Sequence, residues 1–103
     1  MSMVSMSRPA LAALERLIEI ARGDTAQSRR VANFLLAWWN AKSCGGFDFA
    51  DLQSVDAAIA DDMVTVIQLI ATRSESPCAY GYKTEFEKML ADWRPHLAEP
   101  AAP

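Results

Sequence analysis

The chain has 103 residues and a mass of 11.3 kDa, with 51% apolar, 22% charged and 9% aromatic residues. These values are typical of one globular domain and exclude a disordered chain, a collagen-like chain and a disulfide-stapled scaffold. The net charge of −3 disfavours duplex nucleic acid as a partner, because proteins that bind phosphate backbones carry a positive excess.

The charge is unevenly distributed along the chain. Residues 1–42 carry a net charge of +3, and residues 63–103 carry a net charge of −1. Residues 43–62 have no basic side chain and five acidic ones, and we call this stretch the acidic segment: Asp48, Asp51, Asp56, Asp61 and Asp62.

The first half of the chain predicts two long helices. Residues 1–7 are expected to form a disordered leader, followed by a helix with Pro9 in its first turn and Gly23 in left-handed geometry just past its end. The second helix is predicted from an N-cap at Asp24, with Gln27 three residues later, to about Trp39–Ala41. Its apolar residues cover more than one face, which indicates a central helix or a second face that meets a partner, including another copy of the chain.

A short helix is predicted next, inside the acidic segment. Asp48 fits its N-cap and Asp51 its third position, while Phe47 and Leu52 fit a hydrophobic staple. A long helix with Ser54 as its N-cap candidate then extends to about Arg73, because apolar residues recur at helical spacing throughout.

The last predicted helix follows a loop over Ser74–Tyr80 and a turn at Gly81. It begins at Tyr82 or Thr84, uses Thr84 and Glu87 as a capping box, and ends at Trp93 before Pro95. Residues 98–103 are expected to form a flexible tail. The sequence therefore predicts an all-α domain over residues 8–97, a compact bundle of four main helices plus one short helix.

The acidic segment has two interpretations. Its carboxylates either cap helices and cover a solvated face, or they form a patch that docks on a basic protein surface. A metal site fits poorly, because Asp61 and Asp62 point about 100° apart on a helix. Asp48 and Asp51 also lack the glycine and terminal glutamate of a calcium loop. We expect no metal and no cofactor.

Aromatic and basic residues of the second helix supply further candidates. Trp38 and Trp39 point in different directions, so one is expected in the core and the other near the surface, and we take Trp39 as the exposed anchor. The same helix supports an alternative, a nucleic-acid contact made by Arg22, Arg29 and Arg30.

No arrangement typical of an enzyme is found. Cys44 and Cys78 are 34 residues apart and are expected to be free thiols of a reducing compartment, and His96 is expected on the surface. No phosphate-binding loop or nucleophile motif is present. The N-terminal residues do not match the pattern of a signal sequence, so none is expected, and the central uncharged stretch, Val31–Ala41, is too short for a membrane span. We therefore expect a cytoplasmic protein that is not an enzyme.

Four stretches together resemble a small uncharacterised bacterial family whose members are met on integrative and conjugative elements. The likeness covers about residues 8–97, and its most distinctive parts are Gly-Gly-Phe-Asp and Ile-Ala-Asp-Asp-Met; the stretches are Val31–Ala41, Gly45–Leu52, Val55–Met63 and Gly81–Glu87. The resemblance implies an accessory protein of a mobile element and transfers no catalytic residue. By analogy, small acidic proteins of this kind inhibit host defence complexes, including CRISPR effectors, by binding a basic surface.

The leading hypothesis is a non-enzymatic protein-interaction module that presents the acidic segment and an aromatic anchor to a basic protein partner. A homodimer through the second face of the second helix is compatible with it. The alternatives are a nucleic-acid-binding regulator and a small enzyme or metal protein.

Overall fold

The computed structural model describes residues 3–73 and 75–97, with side chains described from residue 8 onward. Five α-helices and one 3₁₀ turn follow in chain order: α1 (Met3–Ala21), α2 (Ala26–Cys44), α3 (Phe49–Leu52), α4 (Ala57–Thr72), the 3₁₀ turn (Pro77–Tyr80) and α5 (Lys83–Trp93). These two ranges contain no strand. The prediction of an all-α fold with four main helices and one short helix is confirmed.

The core forms where α1 packs against both α4 and α2, and α5 packs against α2. Phe86 of α5 is fully buried and meets the rings of Trp38 and Trp39 at centroid distances of 6.2 and 5.7 Å. The surplus apolar surface of α2 is therefore covered from within the chain, by α1 and α5. Self-association through this face stays a prediction. The other large side chains that are fully buried in the core are Leu14, Leu17, Val31, Leu35, Leu36, Met63 and Val66.

The start of α1 differs from its prediction. The helix begins at Met3, so it includes residues 3–7, which the sequence predicts as a leader. Pro9 consequently lies inside the helix, where it removes one backbone hydrogen bond without ending the helix. The predicted tail, residues 98–103, and Ser74 of the predicted loop lie outside the described residues.

The connection between α1 and α2 corrects two predictions. Thr25, and not Asp24, caps α2, because the Ser28 amide donates to Thr25 Oγ1 at 3.0 Å. Gly23 does not have the predicted positive φ. A Cβ atom at Gly23 would lie 2.7 Å from Ser28 Oγ, so close packing against buried Ser28 is what requires glycine there.

The regular part of α2 ends at Asn40, within the predicted limit. Asn40 has non-helical backbone angles (φ −162°, ψ 81°), and its Oδ1 accepts from the Ser43 amide at 3.3 Å. Asn40 therefore caps a short last turn of α2. The final bond of this turn runs from the Gly45 amide to Ala41 O at 2.9 Å. Gly45 has φ 94°, a conformation that favours glycine.

Asp48 caps α3 as predicted, since its Oδ1 accepts from the Ala50 amide at 2.9 Å. The prediction of Ser54 as the N-cap of the next helix is wrong, because Ser54 Oγ donates back to Ala50 O at 3.1 Å. Instead α4 begins after Asp56, whose side chain makes no capping bond. That carboxylate accepts from Gln27 Nε2 at 3.2 Å, and the Asp56 amide donates to Gln27 Oε1 at 2.6 Å.

The predicted capping box of Thr84 and Glu87 is also wrong. Helix α5 begins at Lys83 after Tyr82, and no side chain caps its first turn. Glu87 forms an ion pair with Lys83 instead, at 3.9 Å. The expected turn at Gly81 is confirmed by its left-handed backbone (φ 90°, ψ 15°).

Residues at the end of α5 form hydrogen bonds to the C-terminal ends of α1 and α2. Trp93 Nε1 donates to Ala21 O at 3.0 Å, at the C-terminus of α1. Arg94 Nε donates to Cys44 O at 2.9 Å, and Arg94 Nη2 donates to Asn33 Oδ1 at 2.7 Å. The bonds to Ala21 O and Cys44 O satisfy carbonyl groups that a helix end leaves without an intrahelical partner.

Two phenylalanines at opposite extremes of exposure test this account of the core. Phe86→Ala should lower the free energy of unfolding by about 3–5 kcal/mol, because it opens a cavity beneath both tryptophans. The matched control Phe49→Ala changes a ring that is 73% exposed and should alter stability by no more than about 0.5 kcal/mol. Urea unfolding followed by tryptophan fluorescence measures both values, and equal losses would contradict the described core.

Candidate functional site

Two carboxylates of the acidic segment are paired with the chain's own arginines. Arg16 donates to Asp62 through two parallel hydrogen bonds, Nη2 to Oδ1 at 2.8 Å and Nε to Oδ2 at 2.9 Å. This contact raises the pKa of Arg16. Arg30 Nε lies 3.7 Å from Asp51 Oδ1, an ion pair without a hydrogen bond. Asp51 and Asp62 therefore contribute less negative charge to the surface than their sequence positions predict.

The other three carboxylates have no arginine or lysine partner in the described part of the chain. Asp48 caps α3, and Asp56 accepts from Gln27. Asp61 is exposed on α4, and its carboxylate makes no hydrogen bond or ion pair with the described residues, although Thr65 Oγ1 donates to its backbone carbonyl at 3.0 Å. The acidic surface that remains thus consists of Asp48, Asp56 and Asp61.

An exposed aromatic ring lies next to Asp48, one of these three carboxylates. Phe49 follows Asp48 directly and is 73% exposed, the highest exposure among the large apolar side chains described. Its ring meets Phe47 at 6.3 Å, and Phe47 in turn packs edge-to-face on buried Phe34 at 5.2 Å. The Phe47 contact anchors α3 to α2 and leaves Phe49 on the outside.

Sequence reasoning missed Phe49, although a signal was available. Phe47 and Phe49 flank Asp48, and only the residue before an N-cap can act as the staple of the helix. Phe47 packs against the core, as does Leu52, in agreement with the predicted staple positions. Phe49, one residue after the cap, cannot serve as the staple and is therefore the ring to expect in solvent.

The two tryptophans do not differ in burial as the sequence predicts. Trp38 and Trp39 are both half-buried, and both contact Phe86. Trp38 also meets Tyr80 of the 3₁₀ turn at 6.3 Å. Trp39 is therefore a packed residue with a partly exposed edge, and not the exposed anchor that the sequence suggests.

The three arginines of the nucleic-acid alternative do not form a shared free patch. Arg22 pairs with Glu19 at 3.2 Å, and Arg30 pairs with Asp51. Arg29 is exposed. Two of the three cations are therefore already opposed by a carboxylate.

The two cysteines and His96 are the side chains with the greatest reactive potential, and they differ in exposure. Cys44 is buried and Cys78 is half-buried, and both are free thiols, as predicted. His96 is exposed, also as predicted. Within the described ranges, no three histidine, cysteine or acidic side chains converge in a way that could hold a metal ion.

A small groove lies between α1 and α5. Its volume is about 100 Å³, well below the roughly 300–1,000 Å³ of typical ligand pockets. Arg22, Lys88 and Asp92 border it, and Glu85 Oε1 is buried there without a hydrogen-bond partner. The groove has room for a few water molecules and does not suit a small-molecule substrate.

Tyr82 connects the start of α5 to α1. Its hydroxyl donates to Glu15 Oε2 at 2.6 Å. Burial raises the pKa of Tyr82 to about 12, with a further contribution from the adjacent Glu15 carboxylate. The phenol therefore stays neutral over a wide range of pH and acts as a structural donor.

Comparison with known proteins identifies one relationship. The profile of a family of unknown function, DUF7673, matches residues 11–94, which include most of α1 and all of α2 to α5. No curated protein and no solved structure matches the chain. In the part of the chain that the structure describes, no helix combines the length and apolar character that crossing a membrane requires.

The Tyr82 contact predicts an alkaline loss of stability with a defined sign. Because the folded pKa lies above the ordinary value of 10.0, the contribution of Tyr82 is complete below pH 10 and is lost as the pH rises towards 12. Tyr82→Phe should lose less free energy of unfolding over this interval than the wild type, measured by urea unfolding at each pH.

A Tyr80→Phe variant leaves Tyr82 as the one tyrosine of the chain. Its tyrosinate absorbance should then titrate with a midpoint near 12 in the folded protein. A midpoint near 10 would contradict the burial of Tyr82 and its contact with Glu15.

Proposed function

This chain belongs to the DUF7673 family of unknown function, and we propose that it acts as a non-enzymatic protein-interaction module. In this proposal the module docks on a protein with a basic surface through Phe49 and through Asp48, Asp56 and Asp61. The observation that carries the proposal is the 73% exposure of Phe49, directly after an aspartate that lacks a cationic partner among the described residues.

The energetic argument begins with Phe49. Removing a phenylalanine side chain from water stabilises a complex by roughly 1.5–3 kcal/mol, and aromatic anchors of this kind dominate many protein interfaces. The anchor is held in place, because Phe47 packs between Phe49 and buried Phe34. A partner that buries Phe49 would meet a surface that needs little reorganisation.

The carboxylates supply orientation and association rate. Asp48, Asp56 and Asp61 have no ion pair within the described residues, so a lysine or arginine of a partner can approach them without displacing an internal cation. Charges at the rim of an interface raise the association rate and select the partner more than they raise affinity. An apolar pocket bordered by basic side chains is the complementary surface that we expect.

The cellular setting is part of the proposal. The resemblance to proteins of integrative and conjugative elements supports a role as an accessory protein of such an element. An acidic surface next to an aromatic anchor suits an inhibitor of a host defence complex whose own surface binds nucleic acid, a CRISPR effector being one example. Two free thiols agree with a reducing, cytoplasmic location.

The nucleic-acid alternative has less support. Arg22 and Arg30 are opposed by Glu19 and Asp51, and the net charge of the chain is −3. A regulator of this kind would need these pairs to open before phosphate groups could bind. The alternative therefore enters as an outcome of the following test.

Substitutions that preserve helix caps can test the docking surface. The triple variant Asp48→Asn, Asp56→Asn, Asp61→Asn removes three charges, while asparagine at position 48 keeps an oxygen that can cap α3, and Phe49→Ala removes the anchor. The matched control Glu75→Gln, Glu87→Gln, Asp92→Asn removes three exposed charges from other parts of the chain. All of these proteins are used to capture partners from host lysate, and the captured protein is then titrated by calorimetry.

We expect Phe49→Ala to weaken binding at least tenfold, about 1.4 kcal/mol, and the triple variant to remove the salt dependence of association. The control should match the wild type. Equal recovery of the same proteins by every variant would refute the proposed surface. Recovery of nucleic acid with an affinity that falls steeply with salt would favour the alternative instead.

A further inference from the structure

Asp48 and Phe49 present a carboxylate and an aromatic ring side by side. Both residues are exposed, and Phe49 follows Asp48 directly in the chain. A carboxylate has about four acceptor sites, and the Ala50 amide uses one of them on Asp48 Oδ1, at 2.9 Å. No arginine or lysine of the described residues pairs with Asp48, since Arg30, the cation that reaches α3, pairs with Asp51. The Asp48 carboxylate can therefore accept further hydrogen bonds next to an open ring.

The Phe49 ring offers a free face. Its contact with Phe47 is edge-to-face, with the ring centroids 6.3 Å apart and the ring planes at 75°. A ring has two faces, and an edge-to-face contact involves no more than one of them. Because Phe49 is also largely exposed, at least one face of its ring is open to a partner.

We propose that Asp48 and Phe49 together recognise an arginine side chain of the protein partner and prefer it to lysine. The guanidinium stacks on the open face of the Phe49 ring while its N–H groups donate to the Asp48 carboxylate. The proposal rests on the docking function proposed above and specifies which basic residue enters the site. On the complementary surface of the partner, this arginine is one of the basic side chains at the border of the apolar pocket.

The shape and hydration of the two cations explain the preference. A guanidinium is planar, carries five N–H donors in one fork and is more weakly hydrated than an ammonium group. It can therefore lie flat on a ring and still donate to a carboxylate in its own plane. A lysine ammonium is compact and strongly hydrated, so its contact with a ring displaces more tightly held water. Arginine thus gains more than lysine from the Phe49 ring.

Both contacts lie within reach of one arginine side chain. The Cα atoms of consecutive residues are about 3.8 Å apart, and a cation contacts a ring at up to about 6 Å from the ring centroid. The bond from the Ala50 amide to Asp48 and the packing of Phe47 on Phe34 hold this segment in place. The site is therefore formed before the partner binds, which lowers the entropic cost of association.

Two peptides of equal charge test the preference for arginine. Fluorescein-labelled nona-arginine and nona-lysine are titrated separately with the whole chain at physiological salt, and binding is followed by fluorescence anisotropy. The wild type should bind nona-arginine more tightly by at least about threefold, which is the range of a cation–π contact at an exposed site. Equal affinities for the two peptides, or binding to neither, would overturn the proposal.

Substitutions at Phe49 show whether the preference comes from its ring. Phe49→Leu keeps an exposed apolar side chain without an aromatic face and should bring the two affinities close to each other. Phe49→Tyr keeps the aromatic face and should preserve the preference. Val64→Ala is the matched control, because it shortens another exposed apolar side chain, on α4, and should leave the ratio of affinities unchanged. A preference that Phe49→Leu retains in full would contradict the proposed stacking.

The contribution of Asp48 is tested by Asp48→Asn, which keeps an oxygen that can cap α3. The affinity for nona-arginine should fall by a larger factor than that for nona-lysine, because only a guanidinium can form two parallel bonds to a carboxylate. Intermolecular NOEs between the arginine Hδ protons and the Phe49 ring should accompany binding to the wild type, and binding without them would contradict the stacked geometry.

Failure of the arginine proposal and failure of the docking function give different results. The docking function requires that Phe49→Ala weaken binding to the captured partner, whichever basic residue that partner uses. Equal affinities for the two peptides together with a weakened Phe49→Ala complex would overturn the preference for arginine alone. Unchanged capture by Phe49→Ala would overturn both.

Discussion

The guanidinium of Arg94 determines where the candidate site can lie. It binds the carbonyl of Cys44, the last residue of α2, and the side chain of Asn33 in the middle of the same helix. Because two donors of one rigid group hold two points of α2, the end of that helix has a defined position relative to α5. The chain leaves α2 at Gly45, so the same contact sets the start of the segment that leads to Phe47 and Asp48. The exposed ring of Phe49 thus depends on a residue 45 positions further along the chain.

Helical periodicity predicted the long helices, whereas most of their predicted caps were wrong. Apolar spacing identified the four long helices, because burial of a stripe dominates the energy of an amphipathic helix. The short helix was predicted from the cap at Asp48 and the staple of Phe47 and Leu52, and the cap is confirmed. The caps depend on tertiary partners that local sequence does not contain. Gln27 was expected to support the start of α2, but its amide binds Asp56 at the start of α4. Thr84 and Ser54 also match capping patterns. In the structure Thr84 lies inside α5, and Ser54 Oγ donates to Ala50 O.

The candidate site could be predicted in part, for a related reason. Counting charges identifies the acidic segment in the sequence, but the count does not reveal which carboxylates pair with arginines from distant parts of the chain. Arg16 and Asp62 are 46 residues apart, and their bidentate contact follows from the packing of α1 against α4. The exposure of Phe49 has a similar origin. Composition alone does not say whether Phe47 or Phe49 packs against Phe34, and in the structure Phe47 does so.

The break at Asn40 has a consequence for how the molecule fluctuates. Non-helical backbone angles at this residue interrupt the regular hydrogen-bond ladder, so opening of the chain beyond it need not spread into the first fourteen residues of α2. The region from the last turn of α2 to α3 can therefore unfold locally while Phe86 and its neighbours stay protected. Amide protons of residues 41–53 should therefore exchange with solvent through a local opening. This opening should cost less free energy than the one that exposes the amides of residues 31–36.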